Sequence, residues 1–168
     1  STNRNSEFEE KFSRDSIIQS CVNNDEPIIF DIGAHHGQSI RYLKEIFKSP
    51  VIYSFEPDPE SFKTLCKNNP QNKKLFNFAF SNKNGKTSFY QNNISHTNGL
   101  FEVNINSKDS IRAQDKNIDF EKEVNNLISV NTQTLDKFIE DQNIDSLDLV
   151  KIDTQGAESL VLEGGIKS

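Results

Sequence analysis

No apolar run in the sequence approaches the roughly 18 residues that cross a bilayer, so no membrane-spanning helix is predicted. No signal-peptide pattern opens the chain. Its two cysteines, Cys21 and Cys66, show neither metal-ligand nor redox spacing, which predicts reduced thiols and a cytoplasmic protein. Asn93-Ile94-Ser95 spells a glycosylation sequon, but that signal carries no weight without a secretory leader. Basic residues are in deficit. A net charge of −6 leaves little for a basic face, which argues against a general nucleic-acid binder. There is no internal repeat, and both glycine-rich phosphate signatures, G-x-G-x-x-G and the Lys-Ser/Thr loop, are missing.

What is present suits one α/β domain. The 168 residues suffice for a sizeable core, to which thirteen phenylalanines contribute much, while twenty asparagines make the periphery polar. "FEEKFSRDSIIQSCV" has Phe8, Phe12, Ile17, Ile18 and Val22 near helical spacing and predicts an N-terminal helix within residues 1–27. Residues 28–90 alternate. "PIIFDI" and "VIYSFE" read as buried strands, each followed by a helix, and "KLFNFAF" as a third strand with "GKTSFYQ" after a turn at Asn84-Gly85. Residues 91–126 are polar and aperiodic, and read as a substrate-side insertion or mobile loop. In 127–168 a short strand, a helix starting near Thr134, the strand "LDLVKID" and a helix stopping at Gly164-Gly165 restore the alternation. This order predicts a mostly parallel sheet with helices on both faces.

Ligands of such sheets bind beyond the carboxyl ends of the strands. Three of those ends carry an acid: Asp31, Glu56 and Asp153. The loop after the first strand reads D-x-G-x-x-x-G through Asp31, Gly33 and Gly37, with His35 where a dinucleotide fingerprint needs glycine. A pyrophosphate has no obvious seat there. A turn that passes beneath an amino-acid tail and a ribose fits better, with the amides near Gln38 and Ser39 at the helix start available to a carboxylate. Glu56, nineteen residues beyond Gly37, is spaced to accept hydrogen bonds from two ribose hydroxyls.

The glycine loop, "FEPDPES", "NFAFSNKNG", "TLDKF" and "DLVKIDTQGAESLVLEGG" together resemble the FkbM-type S-adenosylmethionine-dependent methyltransferases over residues 28–165. The resemblance implies a Rossmann-like class I methyltransferase fold, S-adenosyl-L-methionine as cofactor, and O-methylation of a small molecule or sugar hydroxyl. It implies a cofactor loop of Asp31, Gly33 and Gly37, in which Ala34, His35 and Ser39 also lie. It makes Glu56, with Pro57 beside it, the ribose ligand, Ala79 and Phe80 part of an adenine wall, and Asp153 the acid ending the fourth core strand. The family's sheet order, 3-2-1-4-5-7-6, asks for three strands beyond "LDLVKID", and the sequence stops before them. That predicts an apolar strand edge through which the chain self-associates or by which it is destabilised. Gln155 stands where many relatives have glutamate.

Methyl transfer from a sulfonium needs alignment above all, and a hydroxyl acceptor also needs a proton acceptor. Asp153 is the candidate base, with hydrogen bonding to the cofactor's amino group as its other role. His35 or His36 could act as a base near neutral pH, or point to solvent while the loop amides bind; His96 is a weaker candidate. Glu158 reads as a helix-dipole partner. No metal site is predicted from the three histidines. A non-catalytic S-adenosylmethionine-binding or association module is the alternative from another class. A nicotinamide dehydrogenase is opposed by His35, and a nucleic-acid amino-methyltransferase by "DTQG", which lacks a proline–aromatic pair to grip a flipped base.

Overall fold

The computed structural model describes residues 13–92, 95–102 and 126–168. Phe8, Phe12 and most of the polar 91–126 segment therefore lie outside the described residues. The elements run α1 (Arg14–Cys21), β1 (Ile28–Ile32), α2 (Gln38–Ile46), β2 (Val51–Phe55), α3 (Pro59–Asn68), β3 (Leu75–Phe76), β4 (Ala79–Phe80), β5 (Gly85–Gln91), a 3-10 turn (Ser95–Thr97), β6 (Asn126–Gln133), α4 (Leu135–Gln142), β7 (Leu149–Ile152) and α5 (Glu158–Glu163).

Two sheets result. The first is entirely parallel, in the order β3-β2-β1-β7. In its centre Asp31 stands beside Ser54 on one side and Lys151 on the other. Alternation along the strands sends Ile29 and Ile52 to one face and Phe30, Ile32, Tyr53 and Phe55 to the other. Both faces are covered, so these strands are apolar almost throughout. On the first face Ile40, Leu43 and Phe47 pack with Leu65 and Val22. On the second, Phe138 of α4 makes ring contacts with Phe30, Tyr53, Phe55, Phe76, Phe78 and Phe80. Edge-on and tilted packing of this kind adds to the area buried, and accounts for much of the phenylalanine content.

Local signals fix the helix starts. Asp58 caps α3 by accepting the Ser61 N–H, with Pro59 in the first turn, and Thr134 caps α4 by accepting the Lys137 N–H. Gly164 follows the last residue of α5.

The third strand departs from the reading of "KLFNFAF" as one element. It is two short pieces, β3 in the parallel sheet and β4 in a second sheet ordered β4-β6-β5. The break falls at Asn77, whose side-chain amide donates to the carbonyls of Glu56 and Pro57. That bond ties the chain to the end of β2 and carries it out of the first sheet. In the second sheet β5 and β6 form a seven-pair antiparallel ladder, Gly85 to Gln91 against Thr132 to Asn126. Among the described residues no strand pairs with the outer edge of β7, where Val150 is 36% exposed.

Candidate active site

The cradle begins with Gly33 and Gly37, both at positive φ (78° and 88°). The amides of Gly33 and Ala34 donate to the Phe55 carbonyl, each at 3.0 Å, and Gly37 closes the turn on the Ala34 carbonyl at 2.8 Å. A side chain has no room at the first glycine: a Cβ on Gly33 would lie 1.9 Å from the Asp153 carbonyl oxygen. At Gly37 the close neighbours are Asn69 and Leu65 of α3 and its C-terminal cap. Both glycines thus admit protein, where the sequence suggested room for a ligand.

Glu56 locks this loop to the end of β2. Its Oε2 accepts the His35 N–H at 2.8 Å and its Oε1 the Asp58 N–H at 2.9 Å. Burial, more than any neighbour, raises its pKa to about 7; the amides of Asp58 and His35 pull it down, the Asp58 charge pushes it up, and Lys151 pulls it down. Each carboxylate oxygen keeps a lone pair beyond the one already used.

Asp31 is wholly buried. Lys151 Nζ stands 3.0 Å from its Oδ1 and donates to the Gly33 carbonyl at 2.7 Å. Lys151 and Ser39 both favour the charged form of Asp31, yet neither is aligned for a full hydrogen bond, and burial outweighs them to push the carboxyl up.

On the other side, the loop after β7 carries Gln155 and Gly156 at positive φ (54° and 98°). Glu158 holds it, its Oε1 accepting the amides of Thr154 at 2.9 Å and Gly156 at 3.2 Å. Burial alone would raise the Glu158 pKa, but the amides of Glu158, Thr154 and Gly156 lower it. Its work is to set this loop as well as to complement the helix. Gln155 Nε2 in turn donates to Asp153 Oδ1 at 3.0 Å.

A cavity of about 360 Å³ lies between these two sides. Gly33, Ala34, His35, Ser39, Glu56, Pro57, Ala79, Phe80 and Asp153 all line it. Asp31 and Gly37 do not. Phe55, Phe78, Phe89 and Leu100 extend the apolar wall, and Ser95, His96 and Asn98 reach it from the segment after β5. His35 Nε2 lies 2.9 Å from Ser95 Oγ, and its ring stacks on His36 with centroids 3.6 Å apart. Burial, then His36 and His96, lower the His35 pKa below its usual 6.5, so the ring is neutral at pH 7. Lys151 was missed by reasoning from sequence, although its place two residues before Asp153 on a strand puts both on one face. His96 of the polar 91–126 segment, the weaker of the histidine candidates, does line the cavity, whereas nothing in the sequence marked Ser95 and Asn98. Among the described residues no group of three His, Cys, Asp or Glu side chains could hold a metal ion, and no helix is long and apolar enough to cross a membrane.

A parallel sheet covered by helices, with its cavity beyond the strand ends, is a Rossmann-like α/β arrangement. The model of the methyltransferase FkbM domain matches residues 31–168, and the chain belongs to that family. It is similar to the 2-O-methyltransferase NoeI of Sinorhizobium fredii (strain NBRC 101917 / NGR234), with 31% identity over 153 residues that cover 88% of this chain and 61% of the relative. The chain thus spans less than two thirds of that protein's length. No solved structure gives a significant match. Membership of a methyltransferase family implies a methyl donor.

Proposed function

We propose that the chain is an S-adenosylmethionine-dependent methyltransferase that methylates a hydroxyl oxygen of a small molecule or sugar. The observation that carries the cofactor is Glu56: a buried carboxylate on the cavity wall, fixed by two backbone amides and with lone pairs to spare. It suits a pair of ribose hydroxyls, which would replace the water it loses on burial. Phe55, Phe78, Ala79 and Phe80 offer an apolar wall to a flat heterocycle nearby. The glycine loop brings Gly33 and Ala34 to the same cavity. The residues present fit an S-adenosyl ligand.

When bound, S-adenosylmethionine supplies a methyl group on a positively charged sulfur. The protein's part is alignment, exclusion of water and removal of one proton. Asp153, on the β7 side of the cavity, is the candidate to orient the acceptor hydroxyl and take its proton as the new oxygen–carbon bond forms. Gln155 steadies that carboxylate from one side. The acceptor class follows the 2-O-methyltransferase relative and the polar groups, Asn98, Gln155 and His96, that reach the cavity.

Titration calorimetry with S-adenosylhomocysteine and with NAD, on the same preparation, tests the cofactor. S-adenosylhomocysteine is expected to bind and NAD to give no heat. NAD binding as tight as S-adenosylhomocysteine, or tighter, would overturn the reading.

A further inference from the structure

Lys151 stands where the glycine loop, the buried end of β1 and the end of β7 meet. Its ammonium donates to the Gly33 carbonyl at 2.7 Å, lies 3.0 Å from Asp31 Oδ1 and 3.9 Å from Asp153 Oδ2. The side chain is 28% exposed and lines the cavity, whereas Asp31 is fully buried behind it. A ligand in the cavity would meet Lys151 and the loop, and would not meet Asp31.

The surroundings give this arrangement a purpose. Gly33 has no side chain to hold it, and its carbonyl is held by Lys151. Its Cα is pressed against the Asp153 backbone, so a small rotation of the loop has no free direction on that side. Asp31 receives no aligned hydrogen bond from the described residues, so its partner in this pocket is the Lys151 charge. Removing one member of a buried ion pair strands the other, while removing both costs far less.

We propose that Lys151 is a positioning residue: anchored by Asp31, it holds the Gly33 carbonyl and so sets the loop on which the ligand rests. Asp31 then acts through Lys151 and not by touching the ligand. The proposal rests on the reading of this cavity as an S-adenosyl site.

Four proteins test it: wild type, Lys151→Met, Asp31→Asn and the double variant, each melted and each titrated with S-adenosylhomocysteine at 25 °C. Lys151→Met leaves a buried carboxylate without a counter-charge and is expected to melt lowest, with the double variant regaining most of the loss. Affinity is expected not to return with stability: both variants lacking Lys151 should bind at least about tenfold more weakly than wild type. The double variant should bind no more weakly than Lys151→Met alone. If Lys151→Met does not fold, the double variant still decides. Wild-type affinity in the double variant would mean that the pair is only structural, and would overturn the proposal. Losses from the two single variants that add in the double would mean that Asp31 meets the ligand itself, which also overturns it. Wild-type protein that binds no S-adenosylhomocysteine would remove the cofactor reading and this proposal with it. Wild-type binding alongside an equally tight double variant removes the proposal alone.

Discussion

Glu56, at the end of β2, is 6% exposed and accepts amides from His35 and Asp58. Asp153, at the end of β7, has a side chain 58% exposed, and the hydrogen bond it receives among the described residues comes from the Gln155 amide. The two carboxylates close opposite sides of one cavity, and both follow an apolar strand. One is part of the backbone scaffold and the other is free to meet a partner. The difference follows from the loops. β2 leads into a turn whose Asp58 amide points back at the carboxylate, and the loop after β1 adds the His35 amide, whereas the amides after β7 are taken by Glu158. A strand-end acid that has been desolvated and fixed suits recognition of an invariant ligand part. One left solvated suits a group that must change protonation as an acceptor arrives.

Gly33→Ala should strike both sides at once, because the new Cβ would lie 1.9 Å from the Asp153 carbonyl at a φ of 78°. Neither the loop nor β7 can yield without breaking the parallel register, so a loss on the order of 3 kcal/mol or more of folding stability is expected, together with loss of S-adenosylhomocysteine binding. Thermal unfolding and calorimetry check it. A variant that melts and binds like wild type would show that the two sides are not packed against each other.

Glu56→Ala sharpens the contrast on one side. Cofactor affinity should fall by about 1–3 kcal/mol, and stability should fall too, since two amides lose their acceptor. The pH dependence has a sign that can be checked. The folded-state pKa of about 7 lies above the usual 4.5, so this group's contribution to stability is full below 4.5 and is lost as pH rises to 7. Ligand binding to the carboxylate runs the other way, and affinity should rise about tenfold between pH 6 and pH 8. Glu56→Gln should flatten that rise; an equal slope in this variant would assign the titration to another group.

Asp153→Asn should do least in the absence of acceptor, changing S-adenosylhomocysteine affinity by less than about threefold, because contacts of so exposed a group are screened. A loss as large as that of Glu56→Ala would move Asp153 to the cofactor's amino group and leave the acceptor without its candidate base.

The parallel sheet and its carboxyl-end acids were legible because each strand is an apolar run bounded by Pro, Gly or Asp, and because Gly33 and Gly37 punctuate a strand-to-helix turn. Thr134 and Gly164 announced helix ends by local chemistry that acts within a few residues. What escaped were facts that depend on partners far along the chain. Asn77 breaks the third strand through bonds to carbonyls twenty-one and twenty residues away. His35, expected either to act as a base or to face solvent, lines the cavity and meets Ser95 sixty residues on. Nothing on its own strand marks Lys151, and only the register beside Asp31 shows it as the counter-charge of a buried carboxylate.

The most direct test of the central claim is a crystal structure of the chain with S-adenosylhomocysteine. The account predicts the ligand in the cavity beyond β1, β2 and β7, with both ribose hydroxyls within about 2.5–3.0 Å of the Glu56 carboxylate. A ligand bound in that cavity with its ribose away from Glu56, or bound elsewhere, would contradict it.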